Sequence, residues 1–168
     1  MQGAVDKRIE SEIKRIETYK KINKFPSNWY YLGPLIENGL PNYNIFMFSW
    51  KGKDGSYLEG GIYTAKIQLQ GDLRTNAPKV YMEDKFKHMH VYGHGLVCFP
   101  FIDQYKWRPS ITIFEIATEL EKMLDNQPDI TSPANEKMKQ LYEKNTQDYF
   151  DCLKEQAKQF ALNSPYQP

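Results

Sequence analysis

Four short segments rich in aromatic and β-branched residues, punctuated by turn chemistry, constrain this chain more than any other feature. They are Tyr30–Ile36, Tyr43–Trp50, Ile62–Leu69 and Lys79–Glu83, each partly alternating in polarity as a strand with one buried face would be. Between them lie Glu37-Asn38-Gly39, Gly52-Lys53-Asp54-Gly55 and Thr75-Asn76-Ala77-Pro78, sequences that turn the chain rather than extend it. Short turns favour antiparallel neighbours, so a four-stranded antiparallel meander is the simplest sheet these segments predict.

Helical periodicity flanks that block on both sides. Residues 4–22 place Val5, Ile9, Ile13 and Ile16 on one stripe, with Asn23 and Pro26 marking the end. Residues 84–108 have no clean period, and an irregular stretch of that length in a compact domain is usually functional. Beyond it, Pro109 and Ser110 are predicted to open a helix running to about Asp125, with Ile111, Ile113, Phe114, Ala117, Leu120 and Leu124 on a broad buried face. Ser132-Pro133 reads as an N-cap followed by proline at the first helical position. Residues 133–162 then read as helix, bent near Asn145 to Asp148. The expectation is one α+β domain over residues 1–168, with helices segregated from an antiparallel sheet.

Composition narrows the class. At 168 residues the chain suits a single core, and its formal charge of +1 provides no global field toward nucleic acid or membrane. No apolar run is long enough to span a bilayer, and the first residues lack the apolar core of a signal peptide. Cysteines appear only as Cys98 and Cys152, too sparse for a disulfide scaffold. The expectation is an intracellular protein with neither a membrane nor a nucleic-acid partner.

All three histidines, His88, His90 and His94, fall within seven residues, and Cys98 follows four residues later. This window, KHMHVYGHGLVCFPF, is where chemistry is expected. Histidine and cysteine are zinc ligands, but H-x-H-x3-H-x3-C matches no established zinc spacing. A cysteine–histidine hydrolase would need a base placed on the thiol and a group to orient it. A thiol that exchanges thioesters needs only accessibility, an oxyanion stabiliser and docking surfaces. A single cysteine is also often just a small buried hydrophobe. Cys152, in the helical segment Tyr149-Phe150-Asp151-Cys152-Leu153, reads that way.

Four landmarks in order give the third reading its weight. Glu59-Gly60-Gly61-Ile62-Tyr63, Ala77-Pro78-Lys79-Val80, Gly95-Leu96-Val97-Cys98 and Trp107-Arg108-Pro109-Ser110-Ile111-Thr112-Ile113 together resemble the ubiquitin-conjugating enzyme family over nearly the whole chain. Within it the chain is most similar to the SUMO-conjugating type, through WRPSITI, Ser132-Pro133-Ala134 and the closing Glu155-Gln156-Ala157-Lys158-Gln159-Phe160-Ala161.

The resemblance implies a thioester carried on Cys98 and passed to a substrate lysine, with no metal or small cofactor, in the nucleus and cytoplasm. It implies as partners an activating enzyme, SUMO or ubiquitin, ligases, and lysine-bearing proteins. It places His90 where the family has an oxyanion-stabilising asparagine, and His88 where it has a structural histidine. Tyr92 and Ser132 fall in the lysine environment. Lys7, Arg8, Lys14 and Arg15 form the face for the activating enzyme, and Leu73 and the segment around Pro109 face ligases.

The chain also departs from the family pattern. The usual His-Pro-Asn is His88-Met89-His90, the usual tyrosine-proline before the fourth strand is Leu73-Arg74, and Phe99 follows Cys98 in place of leucine. Ile13 and Glu17 interrupt the basic face of the first helix, and the interval from Cys98 to Trp107 fits neither the SUMO nor the common ubiquitin type. A ubiquitin-conjugating enzyme, or a non-catalytic relative that binds ubiquitin-like proteins, are the alternatives. Such non-catalytic variants typically lack the thiol that Cys98 supplies.

Overall fold

The computed structural model describes residues 6–168. Helix α1, Lys7–Lys21, is capped by the Asp6 carboxylate, which accepts the Arg8 amide proton. It ends where Asn23 adopts a left-handed conformation, φ 58°, as the sequence anticipated. Ile9 and Ile16 are buried along its stripe and Ile13 packs at the margin. Val5, expected to open that stripe, lies outside the described residues.

The meander forms as expected. Strands β1 (Trp29–Glu37), β2 (Leu40–Lys51), β3 (Ile62–Gln68) and β4 (Lys79–Met82) make one antiparallel sheet in the order β1-β2-β3-β4. Asn38 and Gly39 both have positive φ, 51° and 78°, the backbone that a two-residue hairpin with right-twisted strands requires. Phe46, Phe48 and Trp50 point alternately from β2 into the core and are fully buried. The residues between them face the other side of the sheet.

Helix α2, Ile113–Asp125, lays Ile116, Ala117, Leu120 and Leu124 into the same core. Its start differs from the sequence expectation. The helix begins at Ile113, later than the expected opening at Pro109 and Ser110; Thr112 is its cap and forms a reciprocal capping box with Glu115. The later helix also starts elsewhere: Asn135, not Ser132, caps α3 (Glu136–Lys144), by accepting the Met138 amide. In both cases the short polar residue adjacent to the first hydrogen-bonded turn is the cap, while Pro109-Ser110 and Ser132-Pro133 stay in the connections. The expected bend is real. Asn145 ends α3 and caps α4 (Thr146–Phe160), its side chain accepting from the Gln147 and Asp148 amides. Helices α3 and α4 enclose a satellite core of Met89, Met138, Tyr149, Phe150 and Leu153. Among the described residues no helix is long and apolar enough to cross a membrane.

Candidate active site

Between β4 and α2 the irregular stretch is ordered by backbone pairing. Tyr92 and Leu96 close a tight loop through Tyr92 N–H to Leu96 O (2.9 Å) and Gly95 N–H to Tyr92 O (2.9 Å). That loop lies on β4, with Met82 N–H to Gly95 O at 2.8 Å and Val97 N–H to Val80 O at 2.9 Å. Gly95 is required twice over: its φ is +96°, and a Cβ there would sit 2.5 Å from the Met82 carbonyl oxygen. Three residues after Gly95 comes Cys98, whose N–H donates to His90 O at 2.8 Å. The thiol is thus delivered by a strand-like segment docked on the sheet edge.

The His88-Met89-His90 triplet is the hub that joins this segment to the helices. His88 is fully buried; its Nε2–H donates to Leu124 O (3.0 Å) and its Nδ1 accepts from His90 N–H (3.1 Å). Burial, with a smaller contribution from neighbouring His90, pulls its pKa down to about 3, so the ring is neutral at physiological pH. The expected structural role is what its bonds describe. Met89 donates its N–H to the Tyr149 hydroxyl at 3.2 Å, a bond the proline of the family triplet could not make. Its carbonyl accepts from Ala134 N–H (2.8 Å) and Asn135 N–H (3.0 Å).

His90 is buried beside the thiol segment, and its Nε2 accepts the Asp129 N–H at 3.0 Å. A neutral ring with Nε2 as acceptor carries its proton on Nδ1. Burial lowers its pKa, opposed by a hydrogen bond to the Ser132 backbone and by the Asp129 carboxylate. The ring therefore grips the 129–132 segment, a connection that the sequence alone did not reveal.

Cys98 is half-buried where two cavities meet. One, of about 320 Å³, is walled by His90, Phe99, Phe101, Met123 and Asp129. The other, of about 340 Å³, is walled by Lys79, Val80, Leu96, Pro100 and Gln104. Ser132 is the residue that, with Cys98, belongs to both, alongside the flanking Phe99 and Pro100. Freed of helix capping, Ser132 is exposed at the mouth of the site, where the resemblance placed it.

Asp129 was missed in the sequence. Thr131, through its hydroxyl (2.6 Å) and its amide (2.9 Å), holds the Asp129 carboxylate below its ordinary pKa, so an exposed negative charge lines the cavity that Cys98 also lines. The Asp-x-Thr turn signature in the inter-helix connection was the available signal.

Other predicted positions are distributed differently. Tyr92 is 40% exposed, stacks on exposed His94 (centroids 5.9 Å apart) and lines neither cavity. Leu73 does not face a partner. It is 3% exposed in the core, and its carbonyl accepts the Trp107 indole N–H at 2.8 Å, which leaves Pro109 as the exposed member of that pair. Lys7, Lys14 and Arg15 are exposed on α1. Arg8 is turned inward: its guanidinium donates to Pro109 O, to Ile111 O (2.7 Å) and to Glu12 (3.0 Å). Buried Glu12 in turn accepts the Ile113 N–H at 3.0 Å, so the pair clamps α1 to the start of α2. Among the described residues no three His, Cys, Asp or Glu side chains converge as a metal site requires.

A cysteine presented by a β4-docked segment, under a connection between two helices and beside a four-stranded meander, defines a class. The sequence model of the family described as ubiquitin-conjugating enzyme matches residues 8–157, and the chain belongs to that family. Among curated relatives it is 31% identical over 120 residues to the SUMO-conjugating enzyme UBC9 of Caenorhabditis elegans, covering 68% of this chain and 72% of the relative. Among solved structures it superposes on the E2 domain of a Toxoplasma gondii ubiquitin conjugating enzyme with a TM-score of 0.72, at 21% identity, over 91% of this chain and 96% of that one. That likeness establishes the shared fold.

Proposed function

We propose that the chain accepts a ubiquitin-like protein from an activating enzyme as a thioester on Cys98 and transfers it to a lysine. The observation that carries this reading is the position of Cys98 at the junction of two cavities. An acyl chain can lie in one while an amine approaches from the other. In the first step the Cys98 thiolate attacks the carbonyl of the activating enzyme's thioester. A new C–S bond forms, and the activating enzyme's thiolate leaves. In the second step the neutral lysine amine attacks the same carbonyl, the C–N bond forms, the C–S bond breaks to release the Cys98 thiolate, and the proton lost from the nitrogen passes to solvent. The thioester stores the driving force, so the protein's task is positioning.

His90 enters this proposal through its hold on the 129–132 segment. The ring holds Asp129 and Ser132 in the wall of the cavity that Cys98 opens onto, and its Nδ1–H, engaged with the Ser132 backbone, is the one proton it could turn to an oxyanion. Asp129 supplies the fixed charge that Ser132 cannot. Docking of the activating enzyme falls to Lys7, Lys14 and Arg15, and ligase docking to the surface around Pro109.

SUMO is the proposed modifier, supported by the 31% identity to a SUMO-conjugating relative, and nucleus and cytoplasm are the proposed compartments. Incubation with activating enzyme, ATP and either SUMO or ubiquitin tests the reading through a reductant-sensitive adduct on a gel. An adduct with ubiquitin alone transfers the proposal to that modifier. Absence of an adduct with both leaves a binding protein, not an enzyme.

A further inference from the structure

Helix α4 reaches the segment that leads to the thiol with two polar side chains. Gln156 accepts the Lys87 N–H at 2.7 Å and donates to Lys87 O at 3.0 Å, its amide acting as the peptide group of a neighbouring strand would. About two turns earlier on the same helical face, the Tyr149 hydroxyl accepts the Met89 N–H at 3.2 Å. Lys87 is exposed, whereas Met89 and Tyr149 have no exposed surface. Without that hydroxyl the Met89 amide is a buried donor with no acceptor.

Much hangs on the Met89 peptide. Its carbonyl holds the Ala134 and Asn135 amides, and the next residue is His90. His90 O accepts the Cys98 N–H, and His90 Nε2 accepts the Asp129 N–H. A tilt at Met89 is therefore passed to the thiol segment through a carbonyl and to the 129–132 segment through a ring.

A proline in the middle of such a triplet fixes its own φ and has no N–H to satisfy. Methionine leaves φ free and brings an N–H. Here the missing restraint comes from a different element, α4, as one hydrogen bond across the satellite core. The Tyr149 ring is held independently of it, edge-on to Tyr142 (5.4 Å between centroids) and to Phe150 (5.2 Å), so the hydroxyl can be removed without emptying that core.

We propose that Tyr149 is a positioning residue for transfer from Cys98, its hydroxyl standing in for the ring of the missing proline. It touches no reactant. It holds the Met89 peptide, and with it His90, in the arrangement that ties the thiol segment to the 129–132 segment. This inference rests on the thioester reading given above.

The test removes the hydroxyl alone. Tyr149→Phe should charge on Cys98 as wild type does. Its preformed thioester should discharge to free lysine about tenfold more slowly, the scale of a small misplacement of a positioned group, with kcat lowered and the KM for lysine unchanged. Amide hydrogen exchange should be faster at Met89 and Asp129 and unchanged at Lys87, which Gln156 holds. A second readout changes the residue at position 89. In Met89→Pro there is no N–H to satisfy, so adding Tyr149→Phe should make no further difference to discharge. In Met89→Ala, which also shortens the side chain but keeps the N–H, adding it should still slow discharge about tenfold. Equal slowing in both backgrounds overturns the proposal. So does wild-type discharge by Tyr149→Phe, or an equal loss of charging and discharge. An Asp129 amide that keeps its wild-type exchange rate in Tyr149→Phe overturns it too, and that result is readable even if Met89→Pro does not fold. A wild type that forms no adduct overturns the thioester reading itself, whereas an adduct with normal discharge in Tyr149→Phe overturns this inference alone.

Discussion

Cys98 and Cys152 are both free and both half-buried, yet their surroundings have little in common. Cys152 sits on α4, where the backbone is satisfied by the helix and the side chain packs against the satellite core around Tyr149 and Phe150. Cys98 follows a glycine-dependent turn, is tied to His90 by its own amide, and opens onto two cavities. The difference teaches that exposure alone does not make a thiol useful. What separates the two thiols is the open space beside Cys98 and the frame that holds its walls.

The largest expected effect breaks that comparison outright. Cys98→Ser should abolish the reductant-sensitive adduct, leaving at most a slower, stable ester, while Cys152→Ser should charge as wild type does. An adduct that survives Cys98→Ala and disappears in Cys152→Ala would reverse the assignment.

The frame itself is tested by His90→Ala. Charging should persist, and discharge to free lysine should slow by roughly 10²–10³, the range seen when a stabilising group at an oxyanion is lost. His90→Asn should retain much of the rate. The Asp129 amide should exchange faster in His90→Ala, since its acceptor is gone. Protonation would remove that acceptor too. Because the folded pKa of His90 lies below its ordinary value, the wild-type discharge rate should fall relative to His90→Asn only well on the acid side of neutrality. Wild-type discharge in His90→Ala would reduce this residue to loop packing.

His88 should affect stability, not chemistry. Its folded pKa of about 3 lies below the unfolded value near 6.5, so the unfolded chain binds the proton first. Stability is complete above about pH 6.5 and is lost as pH falls toward 3, by up to ~1.4 kcal/mol for each pH unit. Urea midpoints at pH 7 and pH 4.5 should differ less for His88→Gln than for wild type. An unchanged difference would mean that other groups govern the acid limb.

The smallest effect belongs to the exposed charges. Reversing Lys7, Lys14 and Arg15 together should slow charging a few-fold, most at low salt, with discharge untouched. Arg8→Ala should instead lower stability by roughly 3 kcal/mol, the order expected when a buried charge such as Glu12 loses its partner. If Arg8→Ala melts like wild type and charges slowly, the residue is a docking residue after all.

Local chemistry was enough to read the meander, the Asn38-Gly39 hairpin, the left-handed stop at Asn23 and the break at Asn145. Each depends on polarity alternation or backbone preference carried by adjacent residues, which a linear string records. The choice between Ser110 and Thr112, or between Ser132 and Asn135, depends on which first turn packs, so neighbouring short polar residues were indistinguishable before folding. The thiol motif and the histidine cluster pointed to Cys98 as the centre. That Arg8 reaches Pro109 and Ile111, that Leu73 is core, that Tyr92 leans on His94, and that His90 holds the 129–132 segment beside the cavity of Cys98 are relations between residues remote in sequence or set by loop geometry. Only the tertiary structure decides them, because a side chain's partner is fixed by packed elements arriving from elsewhere in the chain.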